Sequence, residues 1–197
     1  MAARNYTRDC ITATFILATA PLWSLVRLLG HDETGTSVFI TCGQLLSLIP
    51  GSIGAFARRA FYLMTLEDCA RDVGVGFGTW FSKRKVQVGP RVSIGANCTI
   101  GSCTIGAGSL LGSNIDVLSG RHHHVREGEQ TQIADAMATF SQIRLGANIW
   151  IGNRVLVMAD VGDNAVVGAG SVVVRDIPAD SLAVGNPAVI KQRTVCR

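Results

Sequence analysis

Between Ile94 and Gly112 the chain reads IGANCTIGSCTIGAGSLLG. Aliphatic residues return at six-residue steps: Val88, Ile94 and Ile100, then Ile105, Leu111 and Val117. The same step reappears as Leu145, Ile151 and Val157, and again as Val161, Val167 and Val173. Nine of these twelve anchors are followed by glycine, far more than the 22 glycines among 197 residues would place there by chance. Two positions before most anchors stands a second small or aliphatic residue, as at Val92, Cys98, Cys103, Ser109, Ile115, Ile149, Val155, Ala159, Ala165 and Ser171. A short repeat with one obligatory inward side chain cannot bury its apolar face alone and must stack on its neighbours. Three six-residue steps close one triangular coil, so the twelve anchors predict about four coils of a parallel β-helix, with glycine after the anchor supplying positive φ at tight corners. The register slips twice, from Ile100 to Ile105 and from Val157 to Val161, which predicts two shortened corners. Gly120 to Arg144 carries no hexad, is rich in polar residues and holds three of the four histidines. It is expected to protrude as a loop, and long loops in compact domains are commonly functional.

Outside the repeat the chain divides at about residue 72. Residues 1–72 form an expected helical and apolar segment, and residues 73–197 the β-helix with its loop 120–144 and a C-terminal tail. Ile11 to Leu29 is apolar but interrupted by Pro21 and Arg27, which favours a helix covering one end of the fold over a membrane span. An interfacial helix resting on a bilayer is the alternative. Ile53, Phe56, Ala57, Ala60, Phe61 and Met64 recur at helical spacing, which predicts an amphipathic helix with Arg58, Arg59 and Tyr62 on its outer side. The alternation Val73, Val75, Phe77 reads as extended chain entering the sheet. Eighteen basic against 14 acidic residues give a net charge of +4 with no basic stripe beyond Lys83–Lys85, which argues against nucleic acid as a partner. Six cysteines without a CxxC pair read as reduced, mostly buried thiols of a cytoplasmic protein.

With IGANCTIGSCTIGAGSLLG, IWIGN (Ile149–Asn153), VMADVGDNAVVGAGS (Val157–Ser171) and RDIPADSLAVGNPAVIKQR (Arg175–Arg193) together, the chain resembles the hexapeptide-repeat acyltransferases. Within them it looks most like the maltose and galactoside acetyltransferases and, through MADVG and GNPA, the exopolysaccharide and colanic-acid O-acetyltransferases. The resemblance implies a left-handed coil, a homotrimer, acetyl-CoA as co-substrate, and transfer of an acetyl group to a hydroxyl of a sugar or polysaccharide intermediate. It also implies a histidine general base. A neutral imidazole is suited to take a hydroxyl proton near neutral pH, and the segment Ser119-Gly120-Arg121-His122-His123-His124 offers two positions. The polysaccharide branch selects His124, and the maltose-type alignment selects His122.

Asp116 is placed to fix the imidazole tautomer, or is simply a solvated corner carboxylate. Asn114 is either an acceptor contact or an ordinary corner asparagine. The family's CoA contacts carry over to Asn153, Ala169, Val174 and Arg175, with Lys191 and Arg193 as cations for the CoA phosphates. No metal site is expected, because adjacent histidines alternate in direction along extended chain and no second cluster adds ligands. Two other functions remain open from sequence: the zinc chemistry of γ-class carbonic anhydrases, which share the coil, and a non-catalytic binding scaffold. The apolar N-terminal segment adds a peripheral contact with the cytosolic membrane face to the expectations.

Overall fold

A computed structural model describes residues 2–29, 33–119 and 141–191. It is a left-handed parallel β-helix preceded by three helices, α1 (Ala2–Leu28), α2 (Glu33–Ser47) and α3 (Gly51–Thr65). Side chains are described from Thr12 onward in α1 and from Thr36 in α2.

The strands stack in three parallel faces. Face A carries Asp68–Cys69, Gln87–Val88, Cys103–Ile105 and Ile143–Leu145, extended by single bridges to Val161 and Ile177. Face B carries Gly74–Val75, Ser93–Ile94, Leu110–Leu111, Trp150–Ile151, Val166–Val167 and Leu182–Val184. Face C carries Trp80–Phe81, Thr99–Ile100, Asp116–Val117, Leu156–Val157 and Val172–Val173. All twelve sequence anchors point inward and are at most 2% exposed, and the small residues two positions earlier are buried behind them.

The prism is longer than the hexads predict, with about five coils. Cys69, Val75 and Phe81 form an additional coil before Val88, and Ile177 and Ala183 begin another after Val173. The strand entered at Val73 therefore belongs to a complete coil, in which Phe81 is the buried anchor and Phe77 an exposed corner residue. At the other end Val189–Lys191 folds back antiparallel onto Leu182–Val184.

Register explains how the coil varies. From face A to B and from B to C the anchor step is always six residues, as in Val88–Ile94–Ile100 and Val161–Val167–Val173. From C back to A it is never six: Phe81 to Val88, Ile100 to Ile105, Val117 to Leu145, Val157 to Val161, Val173 to Ile177. Both register slips, the Lys83–Lys85 run and the long insertion all fall on this one corner. Ile143 and Arg144 already belong to the returning strand, so the insertion ends earlier than Arg144.

The two regular corners are built differently from the sequence expectation. Positive φ occurs three residues after the anchor, at Arg91, Asn97, Gly108, Asn114, Asn148, Arg154, Asn164, Gly170 and Asp180 among others. The glycine directly after the anchor is needed for close approach instead. A Cβ on Gly152 would lie 2.5 Å from the backbone nitrogen of Ala169 in the coil above and 2.8 Å from its Cα. Stacked coils about 4.8 Å apart leave no space for a side chain at that point.

The helices close the first coil. Tyr62 of α3 meets Phe81 edge-on with ring centroids 4.5 Å apart, and Phe61 and Phe39 continue the cluster. Gly43 of α2 lets this happen, since a Cβ there would stand 2.8 Å from the Tyr62 hydroxyl. The outward side predicted for α3 is only partly outward. Ala57, Ala60 and Phe61 are buried as expected, but Ile53 is exposed, whereas Arg58 and Tyr62 are buried. The Arg58 guanidinium is the reason: its Nε donates to Val75 O (3.1 Å) and its Nη1 to Leu46 O (3.1 Å), Ser47 O (3.4 Å) and Ile49 O (2.8 Å). It thereby adds donors to the Leu46 and Ser47 carbonyls of the last turn of α2, which also accept the Ile49 and Gly78 N–H groups, and to the Ile49 and Val75 carbonyls beyond that helix.

The apolar stripe of α1 packs on α3, with Phe15 and Phe56 stacked at 5.8 Å. Its opposite side exposes Leu17, Leu25 and Leu28. No described helix is long and apolar enough to cross a membrane. Cys42, Cys69, Cys98 and Cys103 are free thiols, and burial pushes the Cys103 thiol up to about 12.

Candidate active site

Of the residues that the sequence brings under suspicion, the irregular corner between faces C and A holds Val174 and Arg175, and a ladder of serines ties its coils together. Ser119, the last described residue before the insertion, accepts a hydrogen bond at its Oγ from the backbone N–H of Ser102, 2.8 Å away in the coil below. Its carbonyl accepts from the N–H of Ser141, the first described residue after the insertion, at 3.0 Å. Ser102 in turn donates its hydroxyl to Lys85 O at 2.9 Å. The chain therefore departs and returns at one hydrogen-bonded point, above the Lys83–Lys85 run. The serine ladder was not read from the sequence; the lengthened step from Phe81 to Val88 was its available signal.

His122, His123, His124, Arg193 and His31 lie outside the described residues. Asp116 is exposed on the outer surface of face C, paired in register between Thr99 and Leu156, three positions before Ser119. Asn114 sits at the other edge of face C, exposed, with φ +57°. That is a corner conformation that asparagine adopts readily.

The residues carried over as CoA contacts divide between the two edges. Asn153 and Ala169 stack on the Asn114 edge, and the Asn153 Oδ1 accepts the Ser113 N–H at 2.8 Å, tying two coils together. Val174 and exposed Arg175 stand on the insertion edge, beyond Met158. Between the two edges the outer row of face C runs Thr99, Asp116, Leu156, Val172. An acidic position thus gives way to half-buried aliphatic ones along the same surface. Lys191 is exposed and lies apart from these residues, on the strand that closes face B.

On face B, Trp150 is 55% exposed and Leu110, its register partner, 48%. Face A carries the Arg144–Asp163 ion pair (2.9 Å), and the Asp160 Oδ1 accepts the Arg144 N–H at 2.8 Å. This exposed pair trims one wall of a shallow hollow of about 340 Å³ on face A. A hollow of about 280 Å³ lies at the insertion corner, lined by Thr65, Leu66, Glu67, Arg84 and Lys85. Among the described residues no three His, Cys, Asp or Glu side chains are grouped to hold a metal ion.

No family model matches the chain. Among solved structures, a maltose O-acetyltransferase from Clostridium difficile superposes with a TM-score of 0.69 at 23% identity, covering 81% of this chain and 88% of that one. A galactoside acetyltransferase in complex with coenzyme A gives 0.67 at 24% identity, over 83% and 84% of the two chains. The chain has the hexapeptide-repeat acetyltransferase fold. In sequence, the galactoside O-acetyltransferase of Escherichia coli is 38% identical over 89 residues, which is 43% of this chain and 40% of that protein. A Schizosaccharomyces pombe protein with a provisional acetyltransferase name is 34% identical over 108 residues, 52% of this chain and 50% of its own length. The chain thus spans half or less of the length of these curated relatives. A hexapeptide-repeat acetyltransferase from Vibrio cholerae complexed with acetyl coenzyme A superposes at 0.67 and 20% identity, over 82% of this chain and 91% of that one.

Proposed function

We propose that this chain is an acetyl-CoA-dependent O-acetyltransferase that acetylates a hydroxyl of a sugar or polysaccharide intermediate. The observation that carries the reading is the pinned corner at Ser119 and Ser141, which brackets the histidine-bearing segment beside face C. The coenzyme A and acetyl coenzyme A complexes of proteins with the same fold support it.

In this reading His124, with His122 as the alternative, removes the proton as the acceptor oxygen attacks the thioester carbonyl. The tetrahedral adduct collapses with C–S cleavage, and the imidazolium returns the proton to the departing thiolate. Asp116, exposed on the adjacent strand, orients the ring. The aliphatic row Leu156 and Val172 suits the pantetheine arm, between Asn153 and Ala169 on one edge and Val174 and Arg175 on the other. Lys191 and Arg193 neutralise CoA phosphates, and Asn114 contacts the acceptor. The apolar column of Leu110 and Trp150 on face B suits packing between the subunits of a homotrimer.

Incubation with acetyl-labelled acetyl-CoA and a panel of free and lipid-linked sugars is expected to release CoA thiol and move label onto a hydroxyl. Absence of both transfer and CoA binding would overturn the assignment.

The proposed location is the cytoplasm, against the cytosolic membrane face. The exposed Leu17, Leu25 and Leu28 of α1, with Arg27 stacked over Trp23 at 5.6 Å, support that contact. Flotation with anionic liposomes should carry the protein upward, and Leu17→Glu/Leu28→Glu should leave it at the bottom. A wild-type chain that stays at the bottom removes the membrane from the proposal.

A further inference from the structure

The hollow at the insertion corner contains an anomaly that acetyl transfer leaves unexplained. Arg84 is held by its Nε, which donates to Thr65 O at the end of α3 (3.3 Å). Its Nη1 is buried and has no hydrogen-bond partner among the described residues. A buried guanidinium nitrogen without an acceptor is destabilising, and native structures seldom carry one without a reason. The same nitrogen belongs to a residue that lines the hollow of about 280 Å³. Exposed Lys85 adds a second cation to the lining, and Lys83 stands beside them in sequence. Glu67 contributes the single carboxylate of the lining, exposed at its edge, so the hollow carries more positive than negative charge.

Position gives this charge its meaning. Lys85 O is bonded to Ser102, and Ser102 N–H to Ser119, so two coil spacings separate the basic residues from the root of the histidine-bearing segment. Two spacings amount to about 10 Å, the reach of a disaccharide.

We propose that the hollow binds the anionic group, carboxylate or phosphate, of the acceptor sugar through Arg84 and Lys85, so that the acetylated hydroxyl belongs to an acidic glycan. A guanidinium whose Nη1 has no acceptor among the described residues has a donor to spare for either oxyanion. The inference rests on the acetyltransferase reading for its acceptor, and on the geometry of the corner for its anion.

The test compares maltose, maltose with a terminal 6′-carboxylate and maltose 6′-phosphate, both in calorimetric binding and as acetyl acceptors, on the full chain and on Arg84→Met and Lys85→Met. The expected result is at least tenfold tighter binding of one anionic disaccharide than of maltose, with a matching ratio of kcat/KM values. Which anion wins separates carboxylate from phosphate. Arg84→Met should reduce that ratio to within about threefold of unity, and Lys85→Met should reduce it in the same direction. Lys85 is exposed, so its variant carries the test if Arg84→Met fails to fold. Equal binding of the three sugars, or a preference that survives both substitutions, overturns the site. Anion preference in binding with no acetylation of any sugar would instead overturn the transfer reaction and leave the site standing.

Discussion

Arg58→Ala is expected to destabilise the folded chain by about 3–5 kcal/mol. The side chain is 1% exposed, and its donors reach carbonyls of Leu46, Ser47, Ile49 and Val75. Removing it takes the donor from the Ile49 and Val75 carbonyls, each costing about 1–3 kcal/mol when left unpaired, while Leu46 O and Ser47 O keep the Ile49 and Gly78 N–H groups. Gly54 shows how closely the chain is fitted around it, since a Cβ there would stand 2.7 Å from Arg58 Nη1. Burial lowers the pKa of the guanidinium, and the surrounding carbonyl dipoles hold its charge in place. Arg58→Lys should recover part of the loss, because one ammonium reaches fewer of these oxygens. Urea denaturation followed by circular dichroism measures the difference, and a loss under about 1 kcal/mol would refute the clamp.

His124→Ala is expected to lower kcat for acetyl transfer by about a hundred- to ten-thousand-fold, with CoA affinity kept. The acceptor hydroxyl must shed its proton while attacking the thioester, and the preferred assignment gives that proton to His124. In the proposed assignment CoA is held by other residues, along face C and its two edges, so calorimetry should still report its binding. His122→Ala should cost far less. Full turnover in His124→Ala together with its loss in His122→Ala would transfer the role to His122, and retained turnover in both would remove imidazole catalysis from the proposal.

The coil was legible because burial leaves only one solution at each inward position, and that solution repeats at six. Its two ends were not. Cys69, Val75 and Phe81 are chemically unlike one another, and Ile177 and Ala183 are followed by Pro178 and Val184 rather than glycine, so the repeating signal fades although the backbone goes on stacking. Glycine after the anchor was recognised as necessary for the wrong cause: the neighbouring coil, not φ, forbids a side chain. Arg58 was misplaced because helical periodicity counts every arginine as outward, and periodicity does not register carbonyl oxygens waiting at another helix's end.

At the site, the sequence could mark the insertion but not the serines that pin it. Asn114 and Asn153 remained ambiguous for a physical reason: the corner that favours asparagine for its backbone is also where a ligand contact would sit. In the structure Asn153 spends its carbonyl oxygen on the adjacent coil.

The confinement of every change in step length to one corner divides the prism into two kinds of edge. Along the C-to-A edge, exchanging residues 83–85 or 120–140 for grafts of other sizes keeps each later strand in phase, so that edge is open to alteration without rebuilding the scaffold. Along the other two edges a single added residue turns the following strand inside out and drives its aliphatic row into water.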